Sequence, residues 1–355
     1  MKKFRDPNIS LLFLILFHIV ACTQVDEKNF FFEAELTADY KFPLHNFPQQ
    51  IELHIHNDYL ILSTSFNPFN QQLDHFFQAY SLSDYTYMGS FGLRGRGPGE
   101  WINPAVVRQS CNSTYLYLYE LSGNLSTTII HKMMLDSLPK LTEVATISIE
   151  TGYFPMTRPV IKNDSLLVFE EFTPFRRALQ VHHLKDSLPV ITWDWMTSPP
   201  AQPLVQENDG FIRANDSSIF FIYRVKNMID ILDWNLNLKK RINYQKGKPI
   251  IPTDWRDGMG RYYLHPFLGE HFLYVFYSDM FQSERIAKNI HSLELEVFDM
   301  NAIPVSRFTF NEPTPTTFAV DERTFTLYGY RESGGMEDSI SVYHLPGLKE
   351  YLQNR

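Results

Sequence analysis

The chain has 355 residues, 32 basic and 40 acidic side chains, and a net charge of −8. A chain this acidic overall repels phosphate backbones, which disfavours nucleic acid as a partner. At 44% hydrophobic and 20% charged it carries enough apolar surface for an ordinary globular core and too much for disorder.

Residues 1–21 read as an export signal. Lys2, Lys3 and Arg5 form a positive start, and Ile9 to Val20 forms a short apolar run. That run falls well under the roughly 20 residues needed to cross a bilayer, so a permanent membrane helix is not expected. Ile19-Val20-Ala21-Cys22 resembles a bacterial lipobox, with Cys22 as the residue that is acylated. Cleavage there removes Lys2, Lys3, Arg5 and Asp6 and takes the charge to −10. Residues 22–41 then follow as a polar tether. Its Asp26-Glu27 pair resembles the acidic signal of surface-exposed lipoproteins, so periplasmic and surface-facing placements both stay open. The expected location is the Gram-negative envelope, at the outer membrane, with the membrane met through the lipid.

Residues 42–355 carry a repeat. Polar clusters at Asn57, Asn112, Asn163, Asn215, Gly269 and Asp321 each precede an apolar, aromatic run. Their separations are 55, 51, 52, 54 and 52 residues. Examples of the runs are Tyr59-Leu60-Ile61-Leu62, Leu166-Leu167-Val168-Phe169 and Ile219-Phe220-Phe221-Ile222-Tyr223. Further strand-like runs follow within the units, among them Phe77 to Leu82, Ala178 to Leu184, Met228 to Trp234, Leu293 to Phe298 and Ser339 to Leu345. Several of these alternate apolar with polar, as a half-buried strand does. The 29 Phe, 19 Tyr and 5 Trp fit pleated surfaces better than helices. Six units of about 50 residues predict an all-β six-bladed propeller with four-stranded blades. Ring closure calls for a strand from the N-terminal side, and Phe42–His45 is the candidate. The run after Asn112 is read as the inner strand of the second unit.

Phe91-Gly92-Leu93-Arg94-Gly95-Arg96-Gly97-Pro98-Gly99-Glu100-Trp101-Ile102-Asn103-Pro104 ends the first unit. Closely spaced glycines allow unusual backbone angles, and Pro98 fixes one φ among them. Glu100 suits a turn in which its carboxylate accepts backbone amides. The stretch resembles the linking signature of NHL-type blades, and most of all that of TolB-like six-bladed propellers on bacterial lipoproteins. The resemblance implies a propeller fold and an envelope location, and the family has no agreed activity. As a binding edge, Arg94, Arg96, Glu100 and Trp101 are the candidates, since the planar arginine fork suits carboxylates.

Catalytic signatures are sparse. His54 and His56 share one face of a strand, and His182 and His183 face opposite ways, but neither pair has a ligand at zinc spacing. Neither Gly-x-Ser-x-Gly nor His-Glu-x-x-His occurs. Cys111 stands without a nearby histidine, and with Cys22 in the leader no disulfide framework exists. Glu170 and Glu171 are adjacent and face opposite ways. Asp136-Ser137-Leu138, Asp164-Ser165-Leu166, Asp186-Ser187-Leu188 and Asp338-Ser339-Ile340 resemble O-glycosylation acceptors, though Asp-Ser also makes good turns. No cofactor or metal set is expected. These features together read as a binding or scaffolding module for an envelope protein or a glycan. The alternative is a hydrolase or lyase with a metal or carboxylates in a central channel.

Overall fold

The computed structural model describes residues 26–45, 51–64, 74–97, 99–109, 114–121, 127–137, 140–150, 157–172, 177–186, 189–196, 209–247, 261–331 and 339–355. Residues 1–21, read as an export signal, and Cys22, Pro98, Cys111, Asn112 and the residues Ser187 and Asp338 of two Asp-Ser triplets lie outside these.

Two strands come first, β1 (Phe32–Leu36) and β2 (Tyr40–Pro43). Blade one is β3 (Ile51–His56), β4 (Tyr59–Thr64), β5 (His75–Ser81) and β6 (Tyr87–Leu93). Two short strands follow, β7 (Ala105–Val106) and β8 (Arg108–Gln109). Blade two is β7 with β9 (Tyr115–Leu121), β10 (Thr127–Ser137) and β11 (Lys140–Glu150). Blade three is β12 (Thr157–Lys162), β13 (Leu166–Phe172), β14 (Arg177–His183) and β15 (Pro189–Met196), with β8 added along its inner edge. Blade four is β16 (Gly210–Ala214), β17 (Ile219–Tyr223), β18 (Met228–Leu232) and β19 (Leu238–Asn243). Blade five is β20 (Tyr263–Leu268), β21 (Phe272–Tyr277), β22 (Glu294–Asp299) and β23 (Pro304–Phe310). Blade six is β24 (Thr317–Asp321), β25 (Thr326–Tyr330) and β26 (Ser339–His344).

The fourth strand of blade six is β2, antiparallel to β26 with Phe42 opposite Ile340. The ring is therefore closed by an N-terminal strand, which covers the edge of β26 and becomes the outer strand of the last blade. This is the six-bladed propeller that the spacing predicts. One apolar layer lies at each blade interface. Leu53 and Phe42 meet Tyr328 between blades one and six, and Phe221 and Ile219 meet Val168 between four and three. Similar layers join blades one and two, two and three, four and five, and five and six.

Two details differ from the sequence reading. The apolar runs after the polar clusters are the second strands of their blades, and the run after Asn112 is β9, beside the shorter inner strand β7. A second strand is flanked by sheet on both edges and by a blade on both faces, so it reads as continuously apolar. The five residues of β17 are all buried, while the outermost strand β19 exposes its first four. Pairing also begins within the stretch read as tether. β1 runs parallel to β23 of blade five, because Phe32, Ala34 and Leu36 alternate with Glu33 and Glu35 and pack into the layer beneath. Among the described residues no helix is long and apolar enough to cross a membrane.

Candidate functional site

The four core strands of each blade run antiparallel to their neighbours. The turns from first to second strand therefore all fall on one face, and the connections to the next blade fall on the other. The inner strands surround a cavity of about 1020 Å³ that opens on the turn face. Its deeper wall includes His54, Arg108 and Arg213, and its mouth is lined by the polar turns of blades one, four, five and six.

Each deep side chain has a local cause. On β3, Leu53 packs against blade six, which turns Glu52, His54 and His56 to the other face. Arg108 is placed by a split inner strand: β7 pairs with β9 of blade two, and two residues later β8 pairs with β12 of blade three. Arg213 interrupts the apolar β16. Its Nε donates to the Pro266 carbonyl at 2.6 Å and its Nη1 to the Ile212 carbonyl at 2.6 Å. The Pro266 carbonyl is open to it because β20 bulges between Leu264 and Phe267. The bulge holds His265 at φ 46°, a left-handed conformation uncommon for residues other than glycine. Pro266 is tolerated there because β20 is an inner edge strand.

These groups form one electrostatic unit. Burial alone raises the Glu52 pKa, but His54, Arg108, Arg213 and His265 outweigh it and hold the carboxyl below its ordinary value. The Glu52 side chain is 66% exposed. Burial pushes His54 down to about 4, with Glu52 opposing and Arg108 and Arg213 adding to the drop. His56 falls to about 4 through burial, and His265 falls as far through burial and then the charges of Arg213 and Arg224. Burial and the nearby Glu52 push Tyr119 up to about 12, against the opposing Arg108. At neutral pH the imidazoles are uncharged, and one carboxylate faces two guanidinium groups. That arrangement suits a ligand carboxylate or phosphate, which an arginine can take bidentately.

The same residues bear on the enzyme alternative. Glu52, His54 and Ser63 have the residue types of a hydrolytic triad. His54 Nε2, however, lies 3.7 Å from Glu52 and 3.2 Å from Ser63. A relay needs the acid on one ring nitrogen and the nucleophile on the other, so this trio cannot act as one. Among the described residues no three His, Cys, Asp or Glu side chains are grouped to hold a metal ion.

The mouth is stitched across blades. Arg323 of blade six donates to Asp58 at 2.6 Å and to the Asn57 carbonyl at 2.9 Å, both in blade one, while Asp321 orients it. Glu322 accepts the His271 and Phe272 amides of blade five at 2.8 and 3.1 Å. A Cβ at Gly269 would overlap the Glu322 carboxylate, so that carboxylate sits where it does because the residue is glycine. Lys132 pairs with Asp164 at 3.0 Å between blades two and three. Asn163, with its amide turned to donate, reaches both Asp216 oxygens at 3.2 Å between three and four. Around the mouth, the polar clusters at Asn57, Asn163, Asn215, Gly269 and Asp321 thus take part in inter-blade ties.

The glycine-rich connection lies on the opposite face. Arg94 and Trp101 pair by a bridge, and Glu100 Oε2 accepts the Gly97 amide at 2.6 Å. A Cβ at Gly95 would overlap that carboxylate. Trp101 is buried between blades one and two and meets the His131 ring edge-on at 4.4 Å. Arg94 lies over Phe76 at 4.7 Å, and Arg96 is exposed. None of the four reaches the channel cavity. The sequence reading did not single out Glu52, Arg108, Arg213 or His265. Arg213 inside Phe211-Ile212-Arg213-Ala214, and Pro266 inside an apolar run, were signals that a strand carried more than packing.

No family model matches the chain, and no curated protein does either. Among solved structures it is similar to a member of the DUF4221 family from Bacteroides vulgatus. The TM-score is 0.53 at 13% identity, over 87% of this chain and 97% of that one. Lower similarity links it to Kuenenia stuttgartiensis hydrazine synthase, with a TM-score of 0.42 at 11% identity over 85% and 97%. The first likeness supports the propeller fold and says nothing about activity.

Proposed function

We propose that this protein is a lipid-anchored binding module of the Gram-negative envelope, akin to the TolB-like propellers that its glycine-rich segment resembles. It engages a protein or glycan partner over the channel mouth and takes a polar group of that partner into the channel. The observation that carries this reading is the cavity of about 1020 Å³, with Arg108, Arg213 and the neutral imidazoles of His54 and His56 in its wall and a polar rim of turns around it. Ligand sites of this volume are common, and charged groups converging from separate strands are what fixes a ligand's orientation.

The test is affinity capture of the intact lipidated protein from gently solubilised membranes, beside the Glu270→Arg variant. Glu270 is exposed at the mouth, so this change leaves the thermal midpoint in place. Loss of a stoichiometric partner, or of a bound glycan, from the variant alone supports the reading. Equal recovery by both proteins removes the mouth as the binding surface.

A further inference from the structure

The chain before the first blade is fastened along the outside of the ring. The Asp26 amide donates to the Asn243 carbonyl at 2.8 Å, and the Asn243 amide donates to Asp26 Oδ2 at 2.9 Å, at the end of the outermost strand of blade four. Lys28 then enters between blades four and five, where Nζ lies 2.7 Å from the buried Glu296. Four rings surround the ammonium: Tyr277 at 3.8 Å, Tyr263 at 4.9 Å, Tyr244 at 5.2 Å and Phe298 at 5.9 Å. An ammonium enclosed by aromatic faces and paired with a carboxylate is held far more firmly than a surface lysine. From Asp26 onward the segment belongs to the ring.

This matters for the membrane if Cys22 carries the lipid, the reading on which the inference rests. Four peptide links separate Cys22 from Asp26, so whatever their conformation they span at most about 14 Å. A leash that short, fixed at an outer strand, brings the rim of the ring to the lipid surface. The same rim has suitable chemistry. Leu238, Lys239, Lys240 and Arg241 of β19 are all exposed, three successive cations on a chain of net charge −8. Lys239 and Lys240 donate to the Ser217 and Asn301 carbonyls at 3.1 and 3.0 Å, while Arg241 is matched by Asp230. Further along the same fastened segment, beside β23 of the adjoining blade five, Phe31 is 61% exposed.

We propose that the outer rim of blade four is a membrane-docking surface for phosphate-bearing lipid headgroups. The propeller stands edge-on, and its channel opens alongside the bilayer. Lysines near an anionic surface add an electrostatic attraction to the hold of the acyl chains. Edge-on standing leaves both faces of the ring clear for a partner.

The test uses full-length lipidated protein in vesicles of phosphatidylethanolamine and phosphatidylglycerol with spin-labelled headgroups. In a Cys111→Ser background, a fluorophore is placed on Leu238→Cys in blade four or on Met88→Cys in the outer strand of blade one. Six blades put those two rims on opposite sides of the ring. Several-fold stronger quenching at 238 than at 88 is the expected result. Equal quenching at the two positions overturns the edge-on placement. The anchor is read separately with Cys22→Ala: release from the vesicles supports lipidation. Retention with unchanged mobility overturns the lipidation reading and the leash argument with it, whatever the quenching pattern.

Discussion

The glycine-rich connection after blade one and the turn at Gly269 use the same device. In each a glutamate carboxylate fills the space that a glycine leaves and accepts backbone amides, Glu100 from Gly97 and Glu322 from His271 and Phe272. The difference is reach. Glu100 bonds three residues away inside its own loop, whereas Glu322 bonds about fifty residues away on the neighbouring blade. The local version leaves a compact, recognisable motif in the sequence and serves one loop. The long-range version leaves only a glycine and a glutamate far apart, yet it ties two blades beside the channel mouth.

The strongest way to break that contrast is to remove the long-range tie. Glu322→Ala leaves the buried Phe272 amide without its acceptor, while the exposed His271 amide can turn to water, and is expected to cost up to about 3 kcal/mol, the upper end for one orphaned buried group. Denaturant unfolding reads the loss, and hydrogen exchange at His271 and Phe272 should quicken well before that of blade one. An unchanged midpoint would show that the turn does not hold the blades together.

A second effect comes from the channel histidines. His54 and His56 have folded pKa values near 4, below the roughly 6.5 of an unfolded histidine. Between those values the unfolded chain binds more protons than the folded one, so stability falls as the pH drops from about 6.5 towards 4 and is level above that window. At pH 5 the loss is about 2 kcal/mol for each such histidine. Urea midpoints measured from pH 8 to pH 5 check the sign, and His54→Gln should flatten the slope. A slope that is the same in His54→Gln would mean that this imidazole is not held neutral.

The smallest change is expected at the local tie. Gly95→Ala displaces the Glu100 carboxylate, and the disturbance stays within a loop on the far face from the mouth. The cost is about 1 kcal/mol, the scale of a single hydrogen bond. Partner capture should be unaffected. A loss of capture in Gly95→Ala would return Arg94, Arg96, Glu100 and Trp101 to the centre of the binding question.

Much of the architecture is legible in the residue order. The six-fold spacing of polar clusters predicts the number of blades, because each second strand is enclosed on all sides and reads as an apolar run after a tight turn. Phe42 marks the closing strand, and the alternation of Phe32, Ala34 and Leu36 with Glu33 and Glu35 holds the signal for β1, which a reading of residues 22–41 as tether passes over. The channel is harder to see. Glu52, Arg108, Arg213 and His265 lie on four different strands, and nothing in their spacing relates them.

What this sequence determines by itself is the local and the periodic: strand lengths, turn chemistry, the glycine-rich loop and the same-face pairing of His54 with His56. What only the tertiary structure decides is which strand edges turn inward, where Lys28 lodges, and which charges meet. The physical reason is that periodicity is written between neighbours along the chain. The electrostatics of the channel arise between residues that closure of the ring brings together from positions as far apart as Glu52 and His265.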